Sequence, residues 1–133
     1  MRFHRQEDIA ILVMSELAQA GGAIVPLSVI SRHHGVSAVF LKKIVRDLRL
    51  AGLVRSKEGV SGGYALAKPA QRITVWEILC AVDAKAQKEY GNRGTLPAVC
   101  PLYTNCLPQQ VKRKVSDVLE KSLRSVTLAQ LVE

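Results

Sequence analysis

The sequence has few aromatic residues and no long apolar run, and both shortages narrow the class of protein. Phe, Trp and Tyr make up 5% of the 133 residues, so a core has to be built from aliphatic side chains. No apolar run approaches the roughly 20 residues that a membrane-spanning helix needs. The first ten residues, MRFHRQEDIA, lack the apolar centre of an export signal. These observations predict a protein that acts in the cytoplasm and has no membrane partner.

Cysteine is also scarce, and its number argues against a secreted disulfide framework. The chain has three cysteines, an odd number, and free thiols are typical of a reducing compartment. Cys80 falls on the apolar side of a predicted helix, so we interpret it as a buried thiol. Cys100 and Cys106 are separated by five residues, which is wider than the gap of about two to four residues in structural zinc sites. That spacing suits thiolates around a larger inorganic cluster, although two unconnected cysteines remain an alternative.

The patterns that mark common enzyme sites are missing. The stretch Gly59-Val60-Ser61-Gly62-Gly63 lacks the Lys-Ser/Thr ending of a phosphate loop, and its serine is not on a strand-to-helix elbow. No pair of carboxylates lies in an obvious apolar pocket. We therefore predict that the chain is not an enzyme.

Positive charge is what the sequence has in excess. Lys and Arg number 19 against 11 Asp and Glu, which gives a net charge of +8 at pH 7. A small basic chain is typical of proteins that bind polyanions, usually nucleic acid. A charge that only keeps the protein soluble is the alternative.

The N-terminal half has the pattern of a helix-turn-helix followed by a hairpin. Gly35 is the expected left-handed end of the second helix, and Ser37 is the expected N-cap of the third. We interpret His33 and His34, at the end of the second helix, as solvent or phosphate contacts. The predicted elements are helices over 5–20, 23–35 (with Pro26 in its first turn) and from 37 to about 50, then short strands at 53–55 and 64–67 around a tip at 56–63. Helical spacing places Leu12 on the apolar face of the first helix and Leu50 on that of the third.

The C-terminal half is predicted to hold two helices separated by a polar linker. Thr74 and Glu77 have the spacing of a capping box at the start of the fourth helix. A last helix is predicted from about 108 to 123. Its apolar stripe would require a partner, and a second copy of the chain is the simplest one. The members of this stripe are Val111, Val115, Val118, Leu119 and Ser122.

A basic third helix beside a glycine-rich hairpin is the pattern of a winged helix that binds DNA. Phosphates require cations, and base edges require short polar groups. The spacing of Lys42, Lys43 and Arg46 keeps them together on one exposed face. If the charges are considered alone, the alternative is that they form the solvent-exposed face of an ordinary helix.

The segments 53–56, 59–66 and 73–83 resemble the Rrf2 type of winged-helix bacterial transcription regulators. The pattern Gly-x-x-Gly-Gly-Tyr that begins at Gly59 is the most specific part of the resemblance, which covers nearly the whole chain. It implies a mainly α fold with a small β-hairpin wing, in which a winged helix-turn-helix domain precedes a long C-terminal dimerisation helix. It also implies a homodimer on double-stranded DNA, with the third helix in the major groove and the wing in the minor groove.

On this resemblance the chain divides into three parts: a DNA-binding domain (1–82), a linker and cysteine-containing sensor loop (83–106), and a dimerisation helix with a C-terminal tail (107–133). Members of the family usually carry Arg in the wing where this chain has Glu58. An acid near phosphates is unfavourable, and Arg55 or Lys57 could compensate. The predicted DNA-contacting residues are Ser37, Val39, Phe40, Lys42, Lys43 and Arg46 in the third helix and Arg55, Lys57, Ser61, Gly62, Gly63 and Tyr64 in the wing.

The sensor members of the family carry three cysteines in the loop, with five residues between successive ones. Cys100 and Cys106 match the middle and last of these, but Gly94 stands in the first place. Gln109 replaces a histidine that some members use, whereas Asp8 matches a carboxylate that the partner subunit can contribute. Two thiolates and one carboxylate are therefore available to a two-iron two-sulfur or four-iron four-sulfur cluster, for which four protein ligands are expected.

The resulting prediction is a homodimeric, sequence-specific DNA-binding regulator of transcription, acting as a repressor, in which Cys100 and Cys106 act together. A bound cluster, a thiol-based redox sensor, and a regulator that senses through another ligand or has no redox role all remain open. A function of a different class is also open, because Glu58 and the incomplete cysteine set fit a fold that has become a protein–protein interaction module.

Overall fold

The computed structural model describes residues 5–83 and 109–132. These residues form helices and one two-stranded antiparallel hairpin, which confirms the predicted mainly α fold with a small wing. The elements in chain order are α1 (Arg5–Gln19), α2 (Leu27–His34), α3 (Ala38–Leu50), β1 (Val54–Lys57), β2 (Gly63–Leu66), a 3₁₀ turn (Ala70–Arg72), α4 (Val75–Val82), α5 (Gln109–Ser125) and α6 (Leu128–Leu131).

The turn between α2 and α3 forms as its residues predict. Gly35 ends α2 in the left-handed conformation, with φ 62° and ψ 34°, and donates its N–H to the Ser31 carbonyl. Ser37 is the N-cap of α3, and its Oγ accepts a hydrogen bond from the Phe40 N–H at 3.2 Å. Both caps satisfy backbone groups that a helix end leaves unpaired. The helix-turn-helix is therefore set by local signals.

The start of α2 differs from the prediction. The helix begins at Leu27 rather than near residue 23, and Pro26 is its N-cap instead of lying in the first turn. The reason is that Val25 pairs with the wing: its N–H donates to the Tyr64 carbonyl at 2.8 Å, and its carbonyl accepts from the Tyr64 N–H at 2.9 Å. The segment before α2 therefore extends the hairpin and fixes the wing to the helix-turn-helix.

The wing hairpin is longer than predicted toward its tip. Its strands pair from Val54↔Leu66 to Lys57↔Gly63, which leaves residues 58–62 as the tip. At Gly62, a Cβ atom would lie 2.4 Å from the Lys57 carbonyl oxygen. The tip can therefore close only with glycine at this position.

Gly63→Ala is expected to destabilise the protein by about 1–3 kcal/mol, the usual cost of forcing an extra methyl into a packed site. The added Cβ would lie 2.4 Å from the Val25 carbonyl oxygen and 2.8 Å from the Pro26 nitrogen. Both are backbone atoms that cannot rotate away. Urea denaturation would measure the loss, with Ser61→Ala as the control because Ser61 is exposed on the same wing. Equal stability of the two variants would contradict the close packing of the wing on Val25.

An aliphatic core joins α1, α3 and α4, as the scarcity of aromatic residues predicts. Two residues that helical spacing had placed on apolar faces lie outside it: Leu12 is 41% exposed and Leu50 is 69% exposed. The predictions for these two were wrong, because the covered face of each helix is narrower than its apolar stripe. The largest fully buried side chains include Met14, Leu17, Ile30, Leu41, Ile44, Leu48, Leu53, Ile73, Ile78 and Leu128.

The C-terminal segment returns to the start of α4. The predicted capping box is present, since Glu77 N–H donates to Thr74 Oγ1 at 3.2 Å and Thr74 N–H donates to Glu77 Oε2 at 2.9 Å. Beside it, the Leu128 N–H donates to the Ile73 carbonyl at 2.8 Å. Because Leu128 is fully buried in the same core as α1 and α3, the end of the chain stabilises the helix-turn-helix unit.

The last long helix, α5, begins and ends close to the predicted bounds of 108 and 123. At its C-terminal end, the Arg124 guanidinium lies 5.3 Å from the centroid of the buried Trp76 ring and also pairs with Glu120 at 2.9 Å. Val118 and Leu119 are 60% and 36% exposed. The helix is thus anchored to α4 at one end while part of its apolar stripe faces outward.

Candidate nucleic-acid interface

The outer face of α3 combines one apolar and two cationic side chains. Val39, Lys43 and Arg46 are spaced four and three residues apart, which places them along one face of a helix. All three are exposed, while Leu41 and Ile44 are buried on the opposite face. Lys42 is also exposed and lies beside this row. The four residues form a surface with the chemistry required for phosphates and base edges.

Two of the predicted DNA-contacting residues stabilise α3. Ser37 uses its hydroxyl oxygen as the N-cap, and Phe40 is half-buried and packs against the core. They fix where the first turn of α3 lies, which determines what the exposed neighbours can reach. Direct contact of either residue with DNA remains a prediction.

One polar partner of α3 was missed by the sequence analysis. In the amide orientation that satisfies both groups, the side chain of Gln6 accepts from Lys43 Nζ at 2.6 Å and donates to the Val82 carbonyl at 3.2 Å. It therefore connects α3 to the end of α4. No local pattern could have indicated this contact, because it joins three segments that are distant in the sequence.

The wing presents two cations on one edge strand. Arg55 and Lys57 alternate along β1, so they project on the same side of the strand, and both are exposed. Glu58 is exposed immediately after them, as is Ser61 at the tip. Arg55 and Lys57 can therefore reach a polyanion despite the adjacent acid.

The other wing residues in the prediction have backbone roles. Gly62 allows the tip to close, and Gly63 and Tyr64 allow β2 to lie against Val25. The Gly-x-x-Gly-Gly-Tyr pattern is thus required for the shape of the wing. Whether these residues also contact DNA remains a prediction.

The paired histidines have a different partner from the one expected. His33 Nδ1 lies 2.6 Å from Glu16 Oε1, and His34 Nε2 lies 2.7 Å from Glu16 Oε2. Both rings therefore connect the end of α2 to α1. The rings thus hold the first two helices together, which was not predicted, while His33 is 59% exposed to solvent, and contact of either ring with phosphate remains a prediction.

Of the predicted cluster ligands, the structure describes Asp8 alone. Its carboxylate is exposed in the first turn of α1, whereas the neighbouring Glu7 is 4% exposed. Cys100 and Cys106 lie outside the described residues. Within residues 5–83 and 109–132, no group of three or more His, Cys, Asp or Glu side chains is arranged to hold a metal ion. Asp8 therefore belongs to no such group among the described residues, and its role as a ligand remains a prediction.

Cys80 has the environment of a structural thiol. Burial is the largest influence and raises the pKa of its thiol from 9.0 to about 11; the nearby Arg124 opposes this, and Asp83 and Glu120 add to it. A raised pKa leaves little thiolate, which is the nucleophilic form. Cys80 is nevertheless half-buried and lies outside the hydrophobic core cluster, so its interpretation as a buried core thiol is only partly correct.

In a Cys100→Ser/Cys106→Ser variant, Cys80 is expected to react with iodoacetamide at pH 8 about 100-fold more slowly when the protein is folded than in urea. The reason is the rise in pKa from 9.0 to about 11, and the folded-state rate should increase as the pH approaches 11. Mass spectrometry of the alkylated protein would follow both rates. Equal rates in the two states would show that Cys80 is accessible and ionisable.

Among the described helices, none combines the length and the apolar character needed to cross a bilayer.

Comparison with known proteins agrees with this geometry. The Rrf2 family model, described as an iron-dependent transcriptional regulator, matches residues 3–133. The transcriptional regulator IscR of Escherichia coli O1:K1 is 35% identical over 135 residues, which cover 99% of this chain and 80% of the relative.

Solved structures show the same fold. The crystal structure of CymR from Staphylococcus aureus has a TM-score of 0.73 and 25% identity, covering 98% of this chain and 97% of that one. IscR from T. potens has a TM-score of 0.73 and 28% identity, covering 99% of this chain and 86% of that one. The matched family and the Escherichia coli relative are described as transcriptional regulators, which confirms the prediction that the chain is not an enzyme.

Proposed function

The chain belongs to the Rrf2 family of transcriptional regulators, and from this premise we propose that it is a homodimeric, sequence-specific DNA-binding repressor acting in the cytoplasm. The observation that carries the proposal is the outer face of α3. It exposes Val39, Lys42, Lys43 and Arg46 on a helix that is capped at Ser37 and packed into the core from behind. A rigid helix with cations on its free face is suited to the major groove.

The wing supports this placement. Gly52, two residues after the end of α3, has φ 79°, and β1 begins at Val54, so the wing is adjacent to the recognition helix. Its cations Arg55 and Lys57 would contact the backbone or the minor groove beside the site of α3. The net charge of +8 provides the general attraction to DNA, which depends on salt.

The exposed stripe of α5 supports a homodimer. Val111 and Val118 are 42% and 60% exposed on a helix 17 residues long, about 25 Å. Packing against the same stripe of a second copy would bury both valines. A two-fold dimer would present its two α3 helices to half-sites about 34 Å apart, one turn of DNA. The anchoring of Arg124 on Trp76 would transmit the dimer geometry to the winged domain.

For the signal, we propose that Cys100 and Cys106 act together, with Asp8 of the partner subunit, on an iron–sulfur cluster. The exposure of Asp8 supports a role toward another chain, and the family description as iron-dependent supports iron. Two thiolates and one carboxylate fall one short of the usual four ligands, so a further donor is needed to complete the set. Anaerobic purification with iron and sulfide analysis, beside a Cys100→Ala variant, tests this. A colourless, iron-free protein would rule out the cluster and leave a thiol sensor or another ligand.

Selection of bound duplexes from a random-sequence pool tests DNA recognition. The expected result is enrichment of an inverted repeat, because a two-fold dimer reads two equivalent half-sites. A pool that enriches no sequence, together with a stable protein partner in a pull-down, would instead favour an interaction module on the same fold.

A further inference from the structure

Val39 is an apolar residue on an exposed surface, where it contributes little to the stability of the fold. Its side chain is 82% exposed in the first turn of α3, among cations. A β-branched residue does not favour a helix, and a side chain so exposed contributes little to the core. The position of Val39 is therefore better explained by what the helix contacts than by how it folds.

The surrounding residues hold the methyl groups of Val39 in place. The Ser37 cap fixes the first turn, and the next two residues, Phe40 and Leu41, pack against the core or within it. Valine itself has essentially one rotamer in a helix. Val39 is therefore a rigid apolar group, directed outward on the same face as Lys43 and Arg46.

The chemistry of the major groove offers one partner for such a group. Base edges there present hydrogen-bond donors and acceptors, and the C5-methyl group of thymine is the apolar feature among them. Resting on the function proposed above, we infer that Val39 reads the C5-methyl group of one thymine in each half-site. Val39 is then a specificity-determining residue, while the cations beside it supply affinity that depends less on sequence.

The same helix contains a matched control. Leu50 is also aliphatic and 69% exposed, but it lies eleven residues further on, about 16 Å along the helix axis. It adjoins the turn into β1 and cannot reach the same base pair as Val39. Leu50→Ala removes a comparable exposed apolar group without removing the proposed contact.

The experiment uses the duplex enriched from the random pool. Each thymine is replaced in turn by uracil, which removes only the methyl group, and Kd is measured for the wild type, Val39→Ala and Leu50→Ala. At one thymine per half-site, uracil is expected to weaken wild-type binding about four-fold, the effect of losing one buried methyl. Val39→Ala removes the contact in both subunits, so it is expected to bind the thymine duplex about 16-fold more weakly than the wild type, and to show no further loss with uracil at that thymine. Leu50→Ala should keep the four-fold difference.

Two results would overturn the inference, and they are distinguishable. If every uracil substitution weakens the wild type and Val39→Ala by the same factor, Val39 reads no thymine methyl although the protein does recognise a sequence. If the pool enriches no sequence, the proposed function itself fails and the inference fails with it. Circular dichroism of both variants checks that they remain folded.

Discussion

Arg46→Ala is expected to weaken binding of the selected duplex by about 1–3 kcal/mol per subunit, or about 2–6 kcal/mol for the proposed dimer. Arg46 lies on the outer face of α3 and is exposed. It takes part in no salt bridge among the described residues, so its guanidinium is available to a base or phosphate. A bidentate contact to guanine would place the loss at the upper end of this range.

Lys121→Ala is the control for Arg46→Ala, because it removes one positive charge from an exposed position on α5. A charge far from the groove is largely screened at physiological salt, where the Debye length is about 8 Å. Fluorescence anisotropy with the labelled duplex would measure both variants. If the two lose the same affinity, binding depends on net charge and the α3 face has no special role.

Leu128→Ala is expected to lower the free energy of unfolding by about 2–5 kcal/mol, the usual cost of removing a buried leucine side chain. Leu128 is fully buried in the core shared with α1, α3 and α4. Its backbone N–H donates to the Ile73 carbonyl, and Thr127 is the N-cap of the short helix that begins at Leu128. Because the backbone at Leu128 is held in this way, the core is expected to relax only in part and the cavity to persist.

Leu131→Ala is the matched control, since Leu131 lies in the same short helix, α6, but is 44% exposed. Its expected loss is within about 0.5 kcal/mol, as for surface substitutions. Urea denaturation at one protein concentration would compare the two variants, because a dimer unfolds in a concentration-dependent way. Equal losses would show that the C-terminal segment does not complete the core of the winged unit.

The parts of the fold that local signals control could be predicted from the sequence. Ser37, Gly35 and the Thr74 capping box each act within a few residues, and all three are present as predicted. The start of α2 was predicted too early because it depends on the pairing of Val25 with Tyr64, which are far apart in the sequence.

The candidate site, too, could be predicted from the sequence only where local spacing controls it. The exposure of Lys42, Lys43 and Arg46 follows from helical spacing, since the buried residues of α3 define the opposite face. The hydrogen bond from Lys43 to Gln6 could not be predicted, because it depends on how α1 and α3 pack. Leu50 was misassigned because periodicity predicts the direction of an apolar face but not its width.

Sequence-specific DNA binding is the central claim, and an anisotropy titration at two salt concentrations tests it most directly. The labelled duplexes are the DNA upstream of the protein's own gene, the selected site and a shuffled control, at about 50 and 200 mM salt. All affinities are expected to fall with salt, while the selected site keeps an advantage of about 1,000-fold or more over the shuffled duplex. Equal affinity for the selected and shuffled duplexes at the higher salt concentration would contradict it.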